Sequence, residues 1–201
     1  MDGTKKEMHK AEFRREVLDA ARDLYVDEGY ERFGMPKLAE KMRVPRARIS
    51  VYFKDKDDLL LALCEEAAER FFADIMNIRA ANADQIEALR QALLYLIAFG
   101  SNNPAEYKVL FITSPRVYGP FDEFLERESM ARSAYLAFRE IVKTCVDSGK
   151  LLEMDIDVLT QVLTLATRGL ALTVHKTSFP WVDRTVLAHT LVEGLLRGYR
   201  R

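Results

Sequence analysis

Cysteine is scarce in this chain. Its 201 residues hold two, Cys64 and Cys145. Two thiols far apart build no disulfide framework and no metal cluster, and a reducing compartment is the simplest reading. Both read as small buried hydrophobes. Glycine (9) and proline (6) are too few for a collagen-like or low-complexity chain. The three histidines, His9, His175 and His189, share no ligand spacing. No Ser-His-Asp or Cys-His arrangement and no Gly-rich phosphate loop stands in the sequence. No enzyme, no metal and no cofactor is therefore expected. Long apolar runs are missing too. The most apolar stretch, 158–175, is broken by Gln161, Thr164, Thr167 and Arg168, too polar for a membrane span. The first fifteen residues are charged throughout and lack the apolar centre of a signal peptide. A soluble, cytoplasmic protein is expected.

What is there favours a packed helical core. Hydrophobic residues make up 49% and charged residues 30% of the chain, enough apolar mass to exclude wholesale disorder. The periodicity is helical. Phe13, Val17, Ala20, Ala21, Leu24 and Tyr25 recur at three and four, an apolar stripe on a helix over about 10–28. Gly29 is read as the left-handed residue ending it. Short helices follow at about 38–42 and 46–52, the first entered through Gly34 and Pro36, the second opened by Pro45. Longer ones are expected over 56–78 and 84–99, a shorter one over 105–113, then 121–148, 155–176 and 183–199. Ser114-Pro115 and Phe179-Pro180 read as breaks. No period-two alternation is sustained, so the fold class is all-α with about nine helices.

The net charge of −1 hides an uneven distribution. Residues 32–56 carry eight basic groups (Arg32, Lys37, Lys41, Arg43, Arg46, Arg48, Lys54, Lys56) and two acids, Glu40 and Asp55. That local excess of six is either a solvated basic face or a footprint for phosphate backbone. The spacing favours the second. A helix ends near Met42, about three residues turn, and another helix opens at Pro45, which is helix-turn-helix spacing. In such a unit the second helix enters the major groove by its N-terminal end. Arg46 and Arg48 lie there, able to bond guanine edges or clamp phosphate. Lys56 opens the next helix, where a cation can fix register on the backbone.

The run from Leu38 to Leu60, with Tyr52-Phe53 followed by Lys56 and Leu59-Leu60, resembles the DNA-binding domain of TetR-family transcriptional regulators. Ala20-Ala21, Leu24-Tyr25 and Glu28-Gly29-Tyr30 fit the preceding helix of that pattern. The resemblance covers about 13–63. It implies a helix-turn-helix DNA-binding domain over 1–56 and a helical ligand-binding and dimerisation domain over 57–201. Carried over by position, the DNA-contacting residues are Lys37, Arg46, Ala47, Arg48, Ser50, Tyr52 and Lys56, while Phe53 matches a core aromatic. Four positions depart from the pattern. Arg43 stands where Gly is frequent in the turn, Pro45 and Gly34 replace capping Ser or Thr, and Ser50 replaces Tyr. Non-Gly backbone in the left-handed region costs on the order of 1 kcal/mol.

The implied partners are double-stranded DNA, a second copy of the chain and an unidentified small-molecule effector. The expected function is a repressor that binds a palindromic operator as a homodimer and is released by ligand. The alternative is an activator, or a helical interaction module, of the same fold. The segment 155–176 is apolar on more than one face, which requires cover on both sides. Val162, Leu165 and Leu172, with Leu187, Leu191 and Leu195 of the last helix, are the candidate dimer residues; an ordinary monomeric core is the competing reading. Tyr95, Phe99, Tyr107, Phe111, Tyr118, Phe138 and Arg168 are candidates for the ligand pocket, against plain core packing for the aromatics. For Arg168 the competing reading is an ion pair with Glu106 or Glu193, since buried charges are usually paired.

Overall fold

The computed structural model describes residues 2–113, 117–173 and 182–201, with side chains from residue 7 on and not at 173. His175, Trp181 and the two breaks at Ser114-Pro115 and Phe179-Pro180 lie outside the described residues. The fold is all-α, a three-helix helix-turn-helix domain followed by a larger helical one. Among the described residues there are ten α-helices and no strand; a lone bridge ties Leu151 to Arg200 near the C-terminus.

Helix α1 (Asp2–Arg32) starts well before the apolar stripe, because the charged N-terminal residues also coil. Gly29 does adopt positive φ, but at φ 74, ψ 174 rather than the left-handed helical value. One more turn follows, with the Phe33 N–H on the Gly29 carbonyl at 3.0 Å. Helices α2 (Met35–Met42) and α3 (Arg46–Ser50) pack with α1. Their shared core is Phe13, Val17, Ala21, Tyr25, Leu38, Ile49 and Phe53, all buried. Helix α3 is five residues long, two shorter than the sequence suggests. Pro45 sits at its N-cap rather than in its first turn and provides no side-chain cap.

Helix α4 (Lys56–Ala81) opens on Asp55, whose carboxylate accepts the N–H groups of Asp57 and Asp58. That cap satisfies two orphan donors and is worth about 1 kcal/mol. Helix α5 (Gln85–Asn102) is capped likewise by Asp84. Helix α6 (Pro104–Tyr107) runs straight into a π-helical turn, Lys108–Thr113. The expected single helix over 121–148 is two, α7 (Phe121–Glu126) and α8 (Met130–Asp147). The break is made by extended backbone at Arg127 and by Ser129, whose hydroxyl caps α8 through the Arg132 N–H. Helices α9 (Ile156–Thr173) and α10 (Arg184–Tyr199) complete the chain.

In the larger domain α4 lies along α8 and the π turn, while α5 lies along α9 and α10. At Gly100 the α5–α9 approach is close enough that a Cβ would meet Ala171 at 2.8 Å and the Tyr107 ring at 3.1 Å. The two thiols are buried, Cys64 bonded to the Val109 carbonyl and Cys145 to that of Gln85. Burial pushes both up to about 12, which leaves them inert at neutral pH.

Candidate nucleic-acid interface and internal cavity

The turn between α2 and α3 carries a strained residue. Arg43 has φ 55 and ψ 41. The Arg43 N–H reaches the Glu40 carbonyl and the Val44 N–H the Ala39 carbonyl, the paired bonds of a Schellman stop. The chain therefore reverses as a glycine would allow, with arginine in the glycine position.

Beyond that turn α3 presents Arg46, Ala47, Arg48 and Ser50, all exposed, while Ile49 is buried beneath them. The two arginines differ. Arg48 lies over the Phe13 ring, 4.0 Å from its centre, so its guanidinium is pinned to α1. Arg46 makes no hydrogen bond or ion pair among the described residues. Tyr52 is half-buried, its ring 5.3 Å from that of Phe13. Lys56 donates to the Tyr30 carbonyl at 2.6 Å and sits over that ring.

The basic excess is smaller in space than along the chain. Lys37 pairs with Glu28 at 2.8 Å and Lys41 with Asp23 at 3.7 Å. Both acids come from α1, outside the basic stretch, so a window count misses them. The Lys37 bond holds the Glu28 carboxyl below its ordinary range. Arg43, Arg46 and Lys54 keep their charge without an ion-pair partner among the described residues.

The larger domain holds a cavity of about 350 Å³. It lies among α4, α5, the π turn, α7, α8 and α9. Phe111, Tyr118, Phe138 and Arg168 line it, as do Phe71, Phe121, Phe124, Tyr135, Gln161 and Thr164. Tyr95, Phe99 and Tyr107 do not reach the wall. They form a second layer of rings: Phe99 packs on Phe71 at 5.3 Å and Tyr107 on Phe111 at 4.9 Å. The Tyr95 hydroxyl is turned to Asp74 at 2.6 Å. Two wall hydroxyls are committed to acids, Tyr118 to Glu65 and Tyr135 to Asp157. Burial, reinforced by those acids, raises both phenols above their usual range.

Arg168 pairs with neither acid that the sequence offered. Glu106 is held by Arg70 at 3.0 Å and Glu193 by Arg90 at 2.5 Å. Arg168 donates its Nη2 to the Phe111 carbonyl at 2.7 Å and lies over the Phe111 ring; its Nε is buried without a partner.

Of the candidate dimer residues, Leu165 and Leu172 are exposed, while Val162, Leu187, Leu191 and Leu195 are half-buried. Val158, Leu165 and Leu172 stand seven residues apart, on one line of α9, at 52%, 60% and 41% exposure. Val186 of α10 is exposed at 54%. Val158, Val182 and Val186 extend the exposed apolar surface beyond the candidate dimer residues. No described helix is long and apolar enough to cross a membrane.

Residues 17–63 match the family of bacterial regulatory proteins described as the tetR family. A stretch of 67 residues is 37% identical to an HTH-type transcriptional repressor of Mycobacterium tuberculosis, covering 33% of this chain and 36% of that protein. A stretch of 110 residues is 26% identical to the HTH-type transcriptional activator FasR of Mycolicibacterium smegmatis, covering 53% and 50%. The chain thus spans about half or less of these curated relatives. The fold extends further. A bacterial regulatory protein in the tetR family from Rhodococcus RHA1 superposes with a TM-score of 0.75 over 93% of this chain and 96% of that one, at 19% identity.

Proposed function

We propose that the chain, whose residues 17–63 match the tetR family of bacterial regulatory proteins, is a TetR-family DNA-binding transcriptional repressor that works as a homodimer and is released by a small molecule. The carrying observation is the end of α3. Arg46 projects there with no partner of its own, while Arg48 is held on Phe13 and Lys56 on Tyr30. A free guanidinium at the leading end of a recognition helix suits bidentate contact with guanine, and the anchored cations suit phosphate. Residues 1–56 form the reading head in this proposal, and 57–201 the sensing and pairing body.

One recognition helix of this length buries too little for tight specific binding. A twofold dimer presents two heads about 34–36 Å apart, or a multiple of that, to a palindrome. The line Val158, Leu165, Leu172 offers the apolar face for such a pairing, with α10 beside it. The aromatic cavity supports small-molecule control, since a ligand that binds one spacing of the heads better than the other shifts the equilibrium between them. Repression rather than activation is favoured by the relative that is 37% identical over 67 residues, which is named a repressor.

Selection of bound sequences from a random duplex pool tests this reading. An enriched palindrome with half-sites one turn apart, or a multiple, supports it. A pool with no enriched sequence at moderate salt overturns it.

A further inference from the structure

The cavity has one polar stripe, and it lies on a single helix. Gln161, Thr164 and Arg168 of α9 follow at three and four residues, so they share a face. Opposite stand the rings of Phe71, Phe111 and Phe138. The other polar groups on the wall are spent internally. The phenols of Tyr118 and Tyr135 donate to Glu65 and Asp157. The Thr164 hydroxyl donates back to its own helix, to the Thr160 carbonyl at 2.8 Å and the Gln161 carbonyl at 3.1 Å. Among the described residues the wall contains one cation, Arg168, and no acid.

A guanidinium walled by aromatic rings loses hydration and is usually compensated by a carboxylate. Here the groups that meet it are the Phe111 carbonyl, the Phe111 ring face 5.0 Å away and the Tyr107 phenol, all of them neutral. The Nε donor has nothing. The acids that could have neutralised Arg168 are held by Arg70 and Arg90. No carboxylate among the described residues therefore pairs with Arg168, and the rest of the wall suits an apolar body. A volume of about 350 Å³ is in the range of small-molecule sites.

We infer that the cavity binds a hydrophobic monocarboxylic acid, its carboxylate paired with Arg168 and its apolar body laid against the Phe71, Phe111 and Phe138 rings. This rests on the reading of the larger domain as a ligand sensor, and it specifies the ligand class. Carboxylate and guanidinium match in plane and charge, and the charge-assisted pair is among the stronger hydrogen-bonded contacts. The Gln161 amide adds a neutral donor on the same stripe.

The test uses the full-length protein and a fixed panel: hexanoate, decanoate, 3-phenylpropionate and indole-3-acetate, each beside its methyl ester. Binding is read by calorimetry and by the rise in Tm that a native-state ligand causes. Acids are expected to bind and raise Tm, while the esters do not. In R168M, affinity for the acids is expected to fall about 10- to 100-fold, the loss of a charged hydrogen bond. Arg168→Lys keeps the charge without the planar fork and is expected to fall between. If R168M does not unfold cooperatively, the acid-against-ester comparison decides alone. Failure of all four acids overturns the inference, as does equal binding of esters or wild-type affinity in R168M. Duplex affinity is measured separately. Acids that bind but leave the protein on DNA uphold this site and sink ligand release; acids that fail to bind sink this site and leave DNA recognition standing.

Discussion

Lys56 is docked on the end of α1: its Nζ donates to the Tyr30 carbonyl at 2.6 Å and stands 3.7 Å from the centre of the Tyr30 ring. The ammonium has three donors, and this bond uses one. The side chain is thus held in place before DNA arrives, so less of its freedom is lost on clamping a phosphate. Replacing Lys56 by Ala should weaken binding to all duplexes alike, because phosphate contacts carry no sequence information. The slope of log affinity against log salt should fall by about 1. Fluorescence anisotropy on matched and scrambled duplexes at several salt concentrations reads both.

Arg43 occupies left-handed backbone at φ 55. Glycine there removes the Cβ clash at the cost of a looser unfolded chain. Arg43→Gly should raise stability by up to about 1 kcal/mol. Urea unfolding followed by circular dichroism measures it, and a loss of that size would contradict the steric account of this turn.

Acid should loosen the end of α5. The Lys150 ammonium, and then the Glu87 N–H, lower the Asp84 carboxyl to about 2. An unfolded Asp titrates near ~3.9. A depressed folded value contributes stability that is complete above the unfolded value and fades as pH falls through the folded one. The Tm of the wild type should therefore drop faster than that of Asp84→Asn between about pH 4 and 2. Above that window the gap between the two should be constant. Asp84 is at the surface, so raising the salt should shrink the effect.

The apolar line on α9 bears on assembly. Leu165 and Leu172 are exposed, so charge placed there costs little in a folded monomer. A Leu165→Glu, Leu172→Glu double variant should keep its helical content and sediment as a monomer, while the wild type sediments as a dimer. Wild-type sedimentation at the monomer mass would remove the pairing face from the account.

Much of this was legible in the sequence. The apolar stripe of α1, the turn after Met42 and the onset of α4 at Lys56 are written in local periodicity and punctuation. What escaped depends on contacts made at a distance. Periodicity over 121–148 is continuous, and the break between α7 and α8 comes from extended backbone at Arg127 and the cap of Ser129. The π turn after Tyr107 has no sequence signature, because its register is set by packing against α4. The basic count missed Glu28 and Asp23, which reach the stretch only once α1 folds back. Arg168 was assigned an acid partner by the general rule for buried charge, yet Glu106 and Glu193 were claimed by arginines nearer to them. The aromatic candidates lie in one region of the larger domain, but sequence could not sort wall from second layer, since Phe71 and Tyr95 pack against each other.

The central claim is that the free guanidinium of Arg46 reads base edges. The direct measurement is the ratio of affinities for the selected duplex and a scrambled one at physiological salt, in the wild type and in Arg46→Ala. A specific reader should show a wild-type ratio of about 10³ or more. The variant should lose about 1–3 kcal/mol on the selected duplex, with relaxed preference at one position of each half-site. A wild-type ratio near one, or an Arg46→Ala ratio equal to the wild-type value, would contradict it.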